Sequence, residues 1–102
     1  MKKIVLFCAG GMSTSILVKN MRDAAAKENP PFECSIDAFA ASQAQKEGKD
    51  ADAILIGPQI RFQKDSISKQ CPGVPIEAID MKVYGKADGK GALAIAKKLM
   101  GI

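Results

Sequence analysis

The chain has 102 residues, 47% of them apolar and 25% charged, which is typical of one globular domain rather than of a disordered segment. Its lysines are scattered and its net charge is only +4, which argues against nucleic-acid binding, and it contains no histidine, which excludes a Ser-His-Asp triad and the usual zinc sites. No apolar run approaches the roughly 18 residues of a membrane span, so we expect a single domain over residues 1–102, in the cytoplasm and not inserted in a membrane.

The predicted elements alternate between strand and helix. Residues 4–7 are apolar throughout, as expected of a central parallel strand that is covered on both faces. A loop of small residues leads into a helix from about residue 14 to residue 28, which ends before Pro30 and Pro31. Residues 32–39 alternate apolar and polar side chains, which predicts an edge strand with one buried face.

The second half of the chain continues this alternation. It predicts a short helix over residues 42–47, an apolar strand over 53–56, a helix from about 60 to 70, a short strand over 75–79, and a last helix from 88 or 89 to 100. This order predicts an α/β fold with one open, four-stranded parallel sheet in the order 2-1-3-4 and helices on both faces. The chain then reverses direction between strands 1 and 3, so the crevice at their carboxyl ends is the expected site.

The loop after the first strand has the composition of an anion-binding site. It reads Cys8, Ala9, Gly10, Gly11, Met12, Ser13, Thr14 and Ser15. The two glycines allow successive N–H groups to point inward as a nest, and the following helix adds the partial positive charge of its N-terminus. At the rim of this nest the thiolate of Cys8 would be stabilised as a nucleophile, and a phosphate on its sulfur would lie among the amides. A small apolar cysteine beside a plain glycine turn is the alternative interpretation.

The sequence of this loop argues against several classes of protein that bind or transfer phosphate. It contains no lysine, which excludes a Walker loop, and two adjacent glycines do not form a dinucleotide fingerprint. Low-molecular-weight tyrosine phosphatases share the predicted plan, but such cysteine-dependent phosphatases have an arginine six positions after the cysteine, where this chain has Thr14. Without that arginine, and without histidine, nothing obvious would drive hydrolysis of a phosphocysteine, so the group should persist until an acceptor arrives.

Three stretches of the chain together resemble the enzyme IIB component of the sugar phosphotransferase system, in its lactose/cellobiose/chitobiose family. They are residues 4–15, 54–60 and 78–89, and the length and the order of elements match along essentially the whole chain. The form Cys-x-x-Gly-Met-Ser-Thr-Ser is nearer the cellobiose/chitobiose branch than the lactose branch. Ala9-Gly10 departs from the Ser-Ala that close relatives have after the cysteine.

The resemblance implies a phosphoryl carrier that is also a transferase. Cys8 would accept a phosphoryl group from a phosphohistidine of the enzyme IIA partner. It would pass the group to a beta-linked disaccharide, of the cellobiose, chitobiose or lactose class, at the membrane component enzyme IIC. The backbone amides from Ala9 to Ser15 would bind the phosphate, with no cofactor and no metal, and we expect a monomer.

A few further residues are expected near the crevice. Gln59 and Asp80 follow the third and fourth strands and could support the phosphorylated loop, although capping of the next turn is the favoured role of Asp80. For Tyr84 and Met12 we expect contact with a partner, because a rim position would expose them. For Phe62 we expect packing in the core.

Two other functions are compatible with these residues. One is a low-molecular-weight cysteine phosphatase or an arsenate-reductase-like enzyme, against which Thr14 argues. The other is a binding module or thiol redox sensor in which Cys8 never holds phosphate. Cys34 and Cys71 are expected in the core or at a helix end, since an odd number of cysteines with no close pair does not indicate a disulfide framework.

Overall fold

Four parallel strands form one sheet in the order β2-β1-β3-β4, which confirms the predicted topology. The structure, a computed structural model, describes residues 2–8, 12–28 and 30–102. The strands are β1 (Lys2–Cys8), β2 (Cys34–Ala40), β3 (Ala53–Ile56) and β4 (Ile76–Ala78). The chain goes from β1 to one side of the sheet for β2 and to the other side for β3. The loops that follow β1 and β3 therefore flank one crevice at the carboxyl edge.

Five α-helices connect and cover the strands. They are α1 (Met12–Ala26), α2 (Ala44–Glu47), α3 (Lys64–Gln70), α4 (Met81–Gly85) and α5 (Gly89–Met100). A 3₁₀ segment, Pro58–Gln63, replaces the first turns of the helix predicted from residue 60, and the backbone at Ile60 leaves helical geometry there. The short helix α4 was not predicted. Within the described ranges, no helix is long and apolar enough to cross a membrane.

The sheet is packed on both faces, as predicted. On one face, α1 and α5 cover a cluster that includes Ile4, Leu6 and Leu55. On the other face, α2 and α3 cover a cluster that includes Phe7 and Ile56. Because full burial of such a side chain contributes about 1.5–3 kcal/mol, these two clusters hold the central strands β1 and β3 in a single register.

Helices α1 and α5 touch backbone to backbone at Gly89. A Cβ atom at this position would lie 2.2 Å from the carbonyl carbon of Asn20, so a larger residue would force the helices apart. Nearby, the Asn20 side-chain amide donates to the carbonyl of Ala87 at 2.8 Å. Ala87 has a positive φ of 49°, unusual for a residue other than glycine. These contacts hold the corner between α4 and α5 against α1, and so set the place of α4 at the carboxyl edge.

Candidate functional site

Cys8 is the last residue of β1 and lies at the predicted crevice. On one side it pairs with Ala40, the last residue of β2. On the other side the N–H of Gly57, just beyond β3, donates to the carbonyl of Phe7 at 2.9 Å. This hydrogen bond extends the β1–β3 pairing past its last strand pair, Phe7 with Ile56. Cys8 is therefore held between the end of β2 and the segment that follows β3.

Helix α1 begins at Met12, four residues after Cys8. The first N–H groups of an α-helix have no acceptor inside the helix, and they add to the partial positive charge of its N-terminus. The first turn of α1 contains no acidic residue that would compete with an incoming anion. The predicted nest residues Ala9, Gly10 and Gly11 lie outside the described residues, as do the side chains of Met12, Ser13 and Thr14. The nest therefore stays a prediction.

Two of the residues predicted near the crevice, Gln59 and Tyr84, meet Cys8 around Gly57. A Cβ atom on Gly57 would lie 3.8 Å from Cys8 Cβ, 3.7 Å from Tyr84 Cε2 and 3.1 Å from Gln59 Oε1. The backbone of Gly57 has φ −62° and ψ 145°, which any residue can adopt. A Cβ atom here would press on the flexible end of the Gln59 side chain and would make ordinary contacts with Tyr84 and Cys8. The small gap that glycine leaves is bordered by side chains from three separate segments of the chain.

Asp80 is the N-cap of α4. Its Oδ1 accepts a hydrogen bond from the backbone N–H of Lys82 at 2.8 Å, which confirms the expected capping role. The resulting helix carries Tyr84 towards Gly57. Sequence reasoning missed α4 because five residues are too few to show helical periodicity, although the capping residue Asp80 was the available signal.

The side chain of Cys8 is less accessible than the predicted position at the rim of a nest implies. Only 2% of the residue is exposed. Gly57 is one close neighbour, since a Cβ atom there would lie 3.8 Å from Cys8 Cβ. Among the described residues, however, Cys8 belongs to neither of the two core clusters.

Phe62 is not in the core, and that prediction was wrong. Its side chain is 78% exposed. In the 3₁₀ segment Pro58–Gln63 the one buried residue is Ile60, which packs in the cluster under α2 and α3. Phe62 follows Ile60 by two residues, too close for both to share one face of a tight helix.

The other two cysteines are held as neutral thiols. Burial raises the pKa of Cys71, whose Sγ lies 3.2 Å from the carbonyl oxygen of Ala44 and donates to it. Burial also raises the pKa of Cys34, and the negative charge of the Glu28 carboxylate raises it further. The positive charge of Lys97 lowers the pKa of Cys34, but its effect is the smallest of the three. A raised pKa leaves less thiolate at neutral pH than an ordinary cysteine has, so both residues are disfavoured as nucleophiles.

We predict that Glu28→Gln speeds alkylation of Cys34 at about pH 8, below the ordinary thiol pKa of about 8.5. The change removes a negative charge beside the thiol and frees Lys97 Nζ from its ion pair with Glu28, and both effects lower the pKa of Cys34. The measurement is iodoacetamide labelling followed by peptide mass mapping across pH. Cys71 is the internal control. An unchanged or slower rate at Cys34 would contradict the electrostatic account.

Comparison with known proteins gives a consistent set of relatives. The family model for "PTS system, Lactose/Cellobiose specific IIB subunit" matches residues 3–94. The oligo-beta-mannoside-specific EIIB component of the PTS of Bacillus subtilis (strain 168) is 43% identical over 102 residues, which cover 98% of this chain and 97% of the relative. The galactose-specific EIIB component of Lactococcus lactis subsp. cremoris (strain MG1363) is 40% identical over 108 residues, covering 97% and 96%.

The fold also matches a solved structure. The solution structure of a cellobiose-specific phosphotransferase IIB component from Borrelia burgdorferi superposes with a TM-score of 0.79 at 31% identity. The match covers 98% of this chain and 92% of the other. Sequence and fold similarity thus extend over nearly the full length of both proteins.

Proposed function

The chain belongs to the lactose/cellobiose-specific IIB family of the sugar phosphotransferase system, and on that premise we propose that Cys8 is its phosphoryl-carrying residue. The observation that supports this most directly is the position of Cys8. It ends a central strand, faces the gap at Gly57 and is followed after a short loop by the N-terminus of α1. The thiolate of Cys8 would be the nucleophile, and the N-terminus of α1 would bind the phosphoryl group that Cys8 accepts.

In the first step, the Cys8 thiolate attacks the phosphorus of a phosphohistidine on an enzyme IIA protein. The S–P bond forms as the N–P bond breaks, and the histidine nitrogen keeps the electron pair. The donor supplies the imidazole, which fits a chain that contains no histidine of its own. The backbone N–H groups of residues 9–15, together with the N-terminus of α1, hold the phosphoryl oxygens.

In the second step, a sugar hydroxyl oxygen attacks the same phosphorus at the membrane component, enzyme IIC. The S–P bond breaks, its electron pair returns to the sulfur of Cys8, and the hydroxyl proton passes to a base of the acceptor protein or to water. We assign the sugar to the beta-linked disaccharides of the cellobiose, chitobiose and lactose class. The relatives named above are described as specific for different sugars, and we place the choice of sugar at the acceptor component. Both steps take place at the cytoplasmic side of the membrane.

A carrier must hold phosphate without hydrolysing it. Backbone N–H groups offer partial charges that bind the phosphoryl oxygens, but they cannot act as a base towards water. Thr14 stands where cysteine-dependent phosphatases have the arginine that stabilises their transition state. The phosphocysteine is therefore expected to persist until a partner protein positions an acceptor for the phosphoryl group.

We predict that incubation with phosphorylated enzyme IIA adds one phosphoryl group to this chain at Cys8. Intact mass spectrometry followed by peptide mapping measures it. Cys8→Ser should give no cysteine-linked phosphate, whereas Cys34→Ser, which removes the thiol of an edge strand, should be phosphorylated like the wild type. Phosphate on any other residue, or none on the wild type, would rule out the proposal.

We also predict that Gly57→Ala slows phosphorylation of Cys8 about tenfold while leaving the fold intact. The new methyl group would lie 3.1 Å from Gln59 Oε1 and must displace that side chain at the edge of the site. Because a misplacement of about 1 Å near a reacting centre can cost about 100-fold in rate, we expect the smaller shift here to cost about tenfold. Transfer rates are measured in rapid-quench experiments, and urea unfolding checks stability.

The matched control is Gly85→Ala. A Cβ atom at Gly85 meets nothing within 4 Å, so the same chemical change is made in open space on the neighbouring helix. Equal rates for the two variants would show that the gap at Gly57 has no part in the transfer.

A further inference from the structure

Large apolar side chains are exposed beside the site. Phe62, in the 3₁₀ segment after β3, is 78% exposed, and Met81, at the start of α4 after β4, is 68% exposed. Ile16, early in α1, is 61% exposed. All three follow strands of the sheet at its carboxyl edge, which is the edge where Cys8 ends β1. Exposed apolar groups gathered on one side of a protein are typical of a surface that a partner covers.

Phe62 and Met81 line one surface pocket. The pocket has a volume of about 470 Å³, and its other lining residues are Pro58, Gln59 and Arg61. Gln59 connects it to the reaction site, since its Oε1 would lie 3.1 Å from a Cβ atom on Gly57. A protein that fills this pocket is therefore adjacent to Cys8.

The two segments that supply the pocket's lining residues carry a net positive charge. The segments 58–63 and 80–86 contain three cationic side chains, Arg61, Lys82 and Lys86, and one acidic side chain, Asp80. The carboxylate of Asp80 already accepts the hydrogen bond from Lys82 N that caps α4. Aromatic residues, methionine and arginine are the residue types enriched in protein interfaces, and a cationic rim attracts an anionic partner.

We propose that this pocket, called here the Phe62–Met81 pocket, receives an apolar side chain of the phosphohistidine donor protein, flanked on the donor by acidic residues. The inference rests on the proposed function and adds the docking surface and its chemistry. Transfer moves the negative charge of the phosphoryl group from the donor to this chain. The cationic surface therefore attracts the donor more strongly before transfer than after it, which favours binding of the loaded donor and release of the spent one.

The test compares Phe62→Ala/Met81→Ala with Ile102→Ala in rapid-quench phosphorylation by phosphorylated enzyme IIA. Ile102 is exposed to 58%, similar to the pocket residues. It lies just beyond the end of α5, the helix in which Lys97 pairs with Glu28. We expect the double variant to lose about tenfold in kcat/KM, with the rate at saturating donor within about twofold of wild type. Ile102→Ala should match the wild type. Arg61→Glu should raise KM further and reduce its dependence on salt.

The outcomes separate this proposal from the one on which it rests. If the wild type gains no phosphate at Cys8, the proposed function fails, and the docking inference fails with it. If the wild type is phosphorylated but the double variant behaves like Ile102→Ala, the docking inference alone is wrong. If the double variant accepts phosphate normally and loses only delivery to the membrane component, the pocket serves the acceptor and the assignment to the donor is overturned.

Discussion

The backbone hydrogen bond from Gly57 to the carbonyl of Phe7 is the contact on which the site depends. It continues the pairing of β1 and β3 beyond the last residues of β3 and so fixes Gly57 beside Cys8. A slip of one residue between these strands would exchange the faces of all their side chains, and the two buried clusters oppose such a slip. The packing of the core thereby determines that Gly57 borders Cys8.

Because of the strand order, the loops after β1 and β3 flank a crevice at the carboxyl edge of the sheet, and its two sides differ in chemistry. On one side, the chain leaves β1 through a short loop into α1, which offers N–H groups and no acidic residue in its first turn. On the other side, the segments after β3 and β4 contribute Gln59 and Tyr84 around Gly57. One side suits an anion, and the other limits the space beside the sulfur. In the proposed reaction, a phosphoryl group on Cys8 would be held by backbone dipoles.

Much of this arrangement could be predicted from the sequence. The uninterrupted apolar runs at residues 4–7 and 53–56 identified the two central strands, and both are buried. The alternation after Phe32 identified the edge strand β2, where Ile36 is buried in the cluster under α1 and α5. The sequence alone indicated Cys8 and its loop because a thiol, two glycines and a helix start occur within eight residues.

The features that escaped prediction depend on contacts distant in sequence. Helix α4 is too short for periodicity to show, and its position follows from the contact of Asn20 with Ala87. Phe62 was assigned to the core because it is apolar, but Ile60 occupies the place that the 3₁₀ segment offers to the core. The low exposure of Cys8 depends on residues from other segments, such as Gly57, which local sequence does not reveal.

The central claim is that phosphate resides on the sulfur of Cys8, among the amides of the following loop and the first turn of α1. The most direct measurement is a pair of amide ¹H–¹⁵N NMR spectra, recorded before and after phosphoryl transfer. The account predicts large shifts at residues 8–15, smaller ones at Gly57 and Tyr84, and little change at the far ends of α1 and α5. Unchanged amides at residues 9–15 in a phosphorylated sample would contradict it.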